Sequence, residues 1–475
     1  MRIKIGIVWF RHDLRLRDNQ ALTDAAEQCD VVLPVYVFDE RLYKEKTPNG
    51  FRQIGVYRAQ LILDSVLNLK KSLQEKNIDL VVRVGKAEDI IYELADQVKS
   101  SWVFCNRERA PEEELIQDKL ENRLWQIGQE LRFSRGKMLY HTGDLPFPVR
   151  HTPDTYAAFY REVGKIVPVR KPLPIPDKML PYMGSVVSEP IPSLYDLGFT
   201  DSEIPADGFR FKGGEGEGLK KLDEFIKSNF KVSSLKANKR NKDEVLITHL
   251  SPYINAGVLS PKTLYESINQ FMGNKFHSNR ASCIIHGLMR RDFLKLLEKK
   301  YKTRIFEKTG IKGNEQYELK PEMDKFWLWA NAKTGIPIVD AFMRELNNTG
   351  FISYEGRRIL SQFLIEELHV SWELGAEYFQ SKLVDYNPCS NWGNWNIMAG
   401  VAYDTKEDRY CSIITKARKL DPHGDFVRKW IPELAGLNDT VIHEPDKANS
   451  DDLKKSNIEL GKDYPLPVVD TEKWI

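Results

Sequence analysis

Short apolar runs alternating with helical periodicity over the first 140 residues constrain this chain more than any other feature. Residues 5–10, 31–38, 80–84 and 102–105 are strand-length, apolar and mostly β-branched or aromatic. Helical patterns separate them, as in residues 53–74, where Leu61, Val66, Leu69 and Leu73 recur at helical spacing. Parallel strands need a crossover connection, and a helix is the usual one. The alternation therefore predicts a doubly wound, Rossmann-like α/β domain with a parallel sheet over residues 1–140. No G-x-G-x-x-G follows the first strand, so the dinucleotide fingerprint is not part of this domain.

The pattern then changes twice. Residues 146–205 hold eleven of the 24 prolines and little apolar periodicity, which reads as a surface connector, here bounded at 141–212. GGEGEG (213–218) follows. Its glycines could cradle a phosphate, but Glu215 and Glu217 would repel an anion, so the start of a helix near Leu219 is the better reading. Beyond it the chain reads as all-α to residue 437, with helices expected at 261–271, 281–300, 338–347, 357–386 and 425–430. Residues 438–475 are polar and proline-punctuated, expected as a draped or partly mobile tail.

At 475 residues the chain exceeds what one hydrophobic core supports, which agrees with two domains. Net charge is +2, from 70 basic and 68 acidic residues, so no global field demands nucleic acid, although a local basic groove stays open. The five cysteines are odd in number, scattered and without a C-x-x-C pair, which speaks against a disulfide framework or a metal site. MRIK runs directly into IGIVWF without the features of a signal peptide, and no apolar run approaches the ~18 residues of a membrane span. A cytoplasmic protein without membrane contact is expected.

Three constellations could carry chemistry. SNWGNWNIMAG (390–400) packs two tryptophans and three asparagines into six residues. It would suit a flat heterocycle with polar edges, and equally a buried turn packed by Trp392 and Trp395 with the amides capping helix ends. Trp372 stands 23 residues before Trp395, and Arg357 and Asp385 flank the same helical stretch, where they could form a buried pair or an ordinary interhelix salt bridge. THLSPY (248–253) places hydroxyls at a helix start, which reads as an anion site or simply a cap.

WFRHDLRLRDNQAL (9–22), TGIPIVDAFMREL (334–346), DYNPCSNWGNW (385–395) and LDPHGDFVRKWIPEL (420–434) resemble, in order, the signature runs of the photolyase/cryptochrome flavoproteins. GGEGEG, TPDTYAAFYREV (152–163) and DTKEDRYCS (404–412) resemble the DASH branch in particular. That resemblance implies an antenna domain followed by an all-α FAD-binding domain. It implies that Thr248, His249, Leu250, Ser251, Arg291, Arg357, Asp385, Asn387 and Asn391 contact FAD, with Asn391 facing the flavin N5. It makes Trp395 and Trp372 the proximal and middle members of a tryptophan chain to the flavin. A second antenna chromophore such as methenyltetrahydrofolate is allowed, with Glu108 as a candidate ligand or a plain surface charge.

Departures from the family pattern matter as much. The outermost ring of the tryptophan chain corresponds to Leu319, for which Tyr317, Trp327 or Trp329 could substitute. The Glu-x-x-Trp-Arg run that binds a pyrimidine dimer reads Gly287-Leu-Met-Arg290-Arg291, an Asn-Arg pair reads Tyr354-Glu355, and a further ring is Ile397. Ile247 replaces a common hydroxyl. Since a flipped base needs stacking and hydrogen bonds to offset unstacking, these losses favour a photoreceptor over a dimer-repairing lyase acting on single-stranded DNA. A flavoprotein whose light chemistry has lapsed is the third reading. Single-stranded DNA or RNA is the favoured nucleic-acid partner, the signalling partner is open, and a monomer is expected.

Overall fold

The computed structural model describes residues 3–164, 166–230, 248–273, 279–314, 319–403 and 412–472. The basic stretch 236–242, Ile247, Tyr317, Cys411 and most of DTKEDRYCS lie outside the described residues. Two compact units emerge: Met1–Lys46, Arg52–Ile305 and Val384–Ser390 form the first; Thr47–Phe51, Phe306–Leu383 and Asn391–Ile475 form the second. These units cut the chain differently from the expected boundaries at 140, 212 and 437.

The first unit contains a five-stranded parallel sheet of order β3-β2-β1-β4-β5. Its strands are β1 Ile5–Phe10, β2 Val31–Asp39, β3 Val81–Gly85, β4 Trp102–Asn106 and β5 Glu130–Ser134. On one face Ile7, Val35, Val81, Val103 and Leu131 pack with Ile91, Leu94, Leu120 and Leu124 of the helices Ala87–Val98 and Pro111–Gln126. The helix Gln20–Gln28 contacts β1 and β4, burying Ala21, Leu22 and Ala25. Strands buried on both faces read as continuous apolar runs, which is why four of the five were legible. β5 was not: its sequence ELRFS carries Glu130 and Arg132 at the sheet edge and reads as polar.

The proline-rich connector has a structural job along the opposite edge. Val32 N–H donates to Leu180 O (2.8 Å), Tyr182 N–H to Val32 O (3.3 Å) and Glu189 N–H to Val82 O (2.9 Å), so it pairs backbone groups that β2 and β3 would otherwise expose. It also forms the helix Tyr156–Val163, which buries Phe159 and Val163.

GGEGEG does begin a helix, Glu215–Asn229, but four residues earlier than the apolar pattern indicated. A Cβ on Gly213 would lie 2.2 Å from Leu61 O, and Gly214 has φ +111°. The Glu215 carboxylate accepts the Leu16 and Arg17 N–H groups (2.8 and 3.1 Å), so this acid is a bracket for the β1–helix connection.

In the second unit, the helix expected over 357–386 is two helices, Tyr354–Gln362 and Trp372–Lys382, separated by a wide π-helical turn at Phe363–Glu367. The break follows from His369, at φ +55°, and from Val370, which bridges to Lys320. The tail is packed, contrary to expectation. Tyr464 is fully buried and its hydroxyl donates to Asp340 Oδ2 (2.6 Å), while Val468 N–H donates to Thr334 O (3.0 Å). Among the described residues no helix is long and apolar enough to cross a membrane.

Candidate functional site

In the first unit the site residues gather around Asp385. The short helix Ser251–Asn255 starts from Leu250, which is buried and anchors it, with Pro252 in its first turn. Ser251 Oγ donates to Asp385 Oδ2 (2.5 Å), and Asn255 Nδ2 donates to Asp385 O (2.6 Å). Asn255 Oδ1 in turn accepts Arg291 Nε (3.4 Å), while Arg291 Nη1 donates to Lys137 O (3.0 Å). Asn255 is thus the link that brings Ser251, Asp385 and Arg291 together. The residue was missed from sequence; its signal was the spacing of four from Ser251, which puts both on one helix face. Burial lowers the Arg291 pKa, with Asp292 opposing.

The flanking residues are less open to a ligand. Leu250 N–H donates to Thr248 Oγ1 (3.3 Å), a local turn contact. His249 adopts φ +53°, and its Nε2 lies 2.8 Å from Arg210 Nη2. Burial, then Arg210 and Lys221, lowers its pKa to about 4, so the ring is neutral at pH 7. Asn387 Oδ1 accepts the Ser390 N–H (3.2 Å) and caps the helix Pro388–Met398.

SNWGNWNIMAG is helical from Ser390 to Met398 rather than a turn. Within the second unit, Asn391 and Trp395 stand one turn apart on the same face. Asn391 is buried, and its Nδ2 donates to Ala376 O (2.9 Å), which fixes the amide. Its Oδ1 has no hydrogen-bond partner among the described residues. Trp395 is 3% exposed and packs edge-on against Phe379 (5.2 Å between centroids). Gly375 permits this: a Cβ there would lie 2.2 Å from Trp395 Cη2. Gly400 has φ +75°, with open space where a Cβ would point, just past the end of the helix. Trp372 is fully buried, donates Nε1–H to Lys308 O (3.3 Å), and meets Trp392 edge-on (5.6 Å). Trp392, read as simple packing, thereby sits between Trp372 and Phe306 (5.3 Å). Arg357 donates from Nε and Nη2 to Ile352 O (3.3 and 3.2 Å).

Each unit by itself holds groups that suit a flavin nucleotide. In the second, a buried carboxamide is oriented by the backbone with its oxygen left to accept a ring N–H; in the first, a hydroxyl, a carboxylate and a guanidinium group are polar partners of the kind such a nucleotide takes.

At the positions where the family binds lesions, Gly287 has open space where a Cβ would point. The Arg290 guanidinium lies over the Tyr156 ring (5.7 Å), and Tyr160 and His286 pack at 4.5 Å. Glu355 pairs with Arg358 (3.3 Å). Glu108 is no surface charge: it is largely buried and paired with Lys137. Burial works to raise its pKa, but Lys137, His12 and Arg11 overcome this and hold it well below the usual carboxylate range.

Two family models match the chain: "DNA photolyase" over residues 6–177 and "FAD binding domain of DNA photolyase" over residues 284–474. Fold and site therefore define a photolyase-type flavoprotein with an α/β domain and a helical FAD-binding domain. A Gloeobacter violaceus cryptochrome DASH is 36% identical, covering 99% of this chain and 94% of the relative. The crystal structure of a Synechocystis cryptochrome superposes with TM-score 0.91 at 32% identity, covering 100% of this chain and 98% of that one. A class III photolyase from Agrobacterium tumefaciens gives 0.86 at 30% identity, covering 100% and 96%. The chain belongs to the DASH cryptochromes of the photolyase/cryptochrome family.

Proposed function

We propose that this protein is a DASH-type blue-light receptor in which an electron passing from Trp395 to FAD is the switch. The observation that carries the reading is the shared helix face of Asn391 and Trp395, with the Asn391 amide held by Ala376 O and its oxygen without a hydrogen-bond partner among the described residues. FAD, when bound and excited by blue light, supplies a one-electron acceptor. Trp395 supplies the electron from a position shielded from water, Asn391 accepts a hydrogen bond at the ring edge, and Gly375 lets the donor ring settle. Ser251, Asp385, Arg291 and Arg357 serve as further flavin contacts, with Thr248, His249 and Leu250 shaping the turn beside them. Asn387 acts chiefly through its cap. A second chromophore of the pterin class would use Glu108, which is buried and charged. A monomer in the cytoplasm is our working assignment.

A second reading, repair of pyrimidine dimers in single strands, draws on Tyr156, Tyr160, His286 and Arg290, which offer rings and a guanidinium plane for stacking bases. Against it, no carboxylate stands at Gly287. The two readings separate in one experiment. The protein is purified without added flavin and illuminated in its oxidised state, so that its visible spectrum reads FAD content and photoreduction; it is then reduced and illuminated with dimer-containing single-stranded DNA. Stoichiometric FAD with light-driven reduction and no restored pyrimidines is the expected result; restored pyrimidines would replace the receptor reading with repair, and a colourless protein would overturn both.

A further inference from the structure

We propose that Trp329 and Trp327 carry the oxidising equivalent from Trp395 to the surface, replacing the route that ends at Leu319. The proposal rests on the reading of Trp395 as electron donor and adds where the charge goes next.

A continuous series of rings in the second unit supports it. Trp395 packs against Phe379 (5.2 Å), Phe379 lies nearly parallel to Trp329 (6.1 Å, 15°), Trp329 meets Phe326 (5.7 Å), and Phe326 meets Trp327 (5.2 Å). The two tryptophans occupy the helix Met323–Ala330 at positions two apart, which points them to opposite sides of it. Trp329 is fully buried, whereas Trp327 is 44% exposed. The series therefore starts at a buried indole and ends at a wet one.

The protons fix the direction of flow. Trp329 is fully buried and donates Nε1–H to Leu360 O (3.1 Å), a backbone carbonyl too weakly basic to take the proton, so an oxidised Trp329 stays cationic and is readily refilled. Trp327 can release its indole proton to bulk water, which traps the charge there. Phe379 and Phe326 are much harder to oxidise than indole and act as bridges between the tryptophans. The other arm differs: Trp372 meets Trp392, which meets Phe306, and the family's outer position beyond is aliphatic Leu319.

The electron balance is simple. One electron leaves Trp395 for light-excited FAD, one passes from Trp329 to Trp395, and one from Trp327 to Trp329. Oxidised Trp327 loses its N–H proton to water, and one electron plus one proton from a dissolved thiol restores it. The net change is one electron to flavin and one proton to water, with the thiol left as a thiyl radical.

The test uses FAD-loaded wild type and the variants Trp327→Phe, Trp329→Phe and Trp372→Phe under laser flashes without thiol. It follows tryptophan-radical absorption, and peptide mass spectrometry then locates the oxidised tryptophan. In wild type the oxidation product should sit at Trp327. Trp327→Phe should lose the long-lived deprotonated radical while keeping prompt oxidation of Trp395, and Trp329→Phe should do the same; Trp372→Phe should leave the position of the oxidation product at Trp327. Trp327 is half-exposed, so its replacement tests the route even where Trp329→Phe fails to fold. A wild-type product elsewhere, or radical lifetimes unchanged in Trp327→Phe and lost in Trp372→Phe, would overturn the route and leave Trp395 as donor. Absence of any tryptophan radical in wild type would instead overturn the donor reading itself.

Discussion

Gly375 and Trp395 show how little room a buried indole leaves around itself. The Trp395 ring is held on one side by Phe379 and on another by the backbone at Gly375, where a Cβ would lie 2.2 Å from Cη2 and 2.6 Å from Leu364 Cδ2. Both contacts are in the core, so neither neighbour can step aside into solvent. Gly375→Ala should therefore destabilise the protein by about 1–3 kcal/mol through overpacking, measured by denaturant unfolding. It should also slow light-driven reduction, because the donor ring must shift. Unchanged stability with unchanged photoreduction would mean that the ring relaxes freely. Nothing in the sequence marked Gly375: a glycine inside a helix names no partner, and Trp395 lies 20 residues away along the chain. The same blindness hid Asn255, whose role exists only because Asp385 and Arg291 arrive from distant segments.

Helices set which titratable groups share a face, and Asn279–Tyr301 places Asp292, Lys295 and Glu298 in the interior of the first unit. Glu298 Oε2 accepts the Cys389 S–H (2.6 Å), and its Oε1 is buried without a hydrogen-bond partner among the described residues. Burial pushes its pKa up to about 7, against the Cys389 hydrogen bond, Lys295 and Arg109, which lower it. Because the folded value lies above the unfolded one, the native state holds the extra proton between about pH 4.5 and pH 7. Glu298 thus contributes stability that is present below this window and lost as pH rises through it, by about 3 kcal/mol at most. Burial, then Arg291 and Lys137, lowers Lys295 to about 7, which adds the opposite slope above neutrality. Unfolding free energy should fall between about pH 5 and pH 7 in wild type and much less in Glu298→Gln, which keeps the acceptor and removes the titration. An equal fall in both proteins would assign the pH dependence elsewhere. At this scale the sequence was most readable. β1 and the helix 425–430 were placed to the residue, and most other ends shifted by one to three, because core periodicity is local. The long helix over 357–386 failed because its break at His369–Val370 depends on a bridge to Lys320, a partner that periodicity cannot reveal.

For the whole molecule, the path of the chain matters more than the count of domains. The first unit takes back residues 384–390 after the chain has built most of the second, and the second takes residues 47–51 from within the α/β region. Texture along the sequence gave boundaries at single points, whereas compactness here is assembled from separated segments. The returning segment supplies Asp385, on which Ser251 and Asn255 both depend, and Cys389, the partner of Glu298. In the second unit, Asn49 binds Glu377 through both its backbone N–H (3.0 Å) and its side chain (2.9 Å). A fragment of residues 1–305 therefore contains the whole sheet but leaves the Ser251 hydroxyl, the Asn255 amide and the Glu298 carboxylate without these partners, each loss costing about 1–3 kcal/mol where the group stays buried. Hydrogen exchange on that fragment should show the sheet strands still protected and the helices Ser251–Asn255 and Asn279–Tyr301 strongly deprotected relative to the full chain. Full protection of both helices would show that the α/β part alone organises them and that residues 384–390 merely dock onto a finished surface.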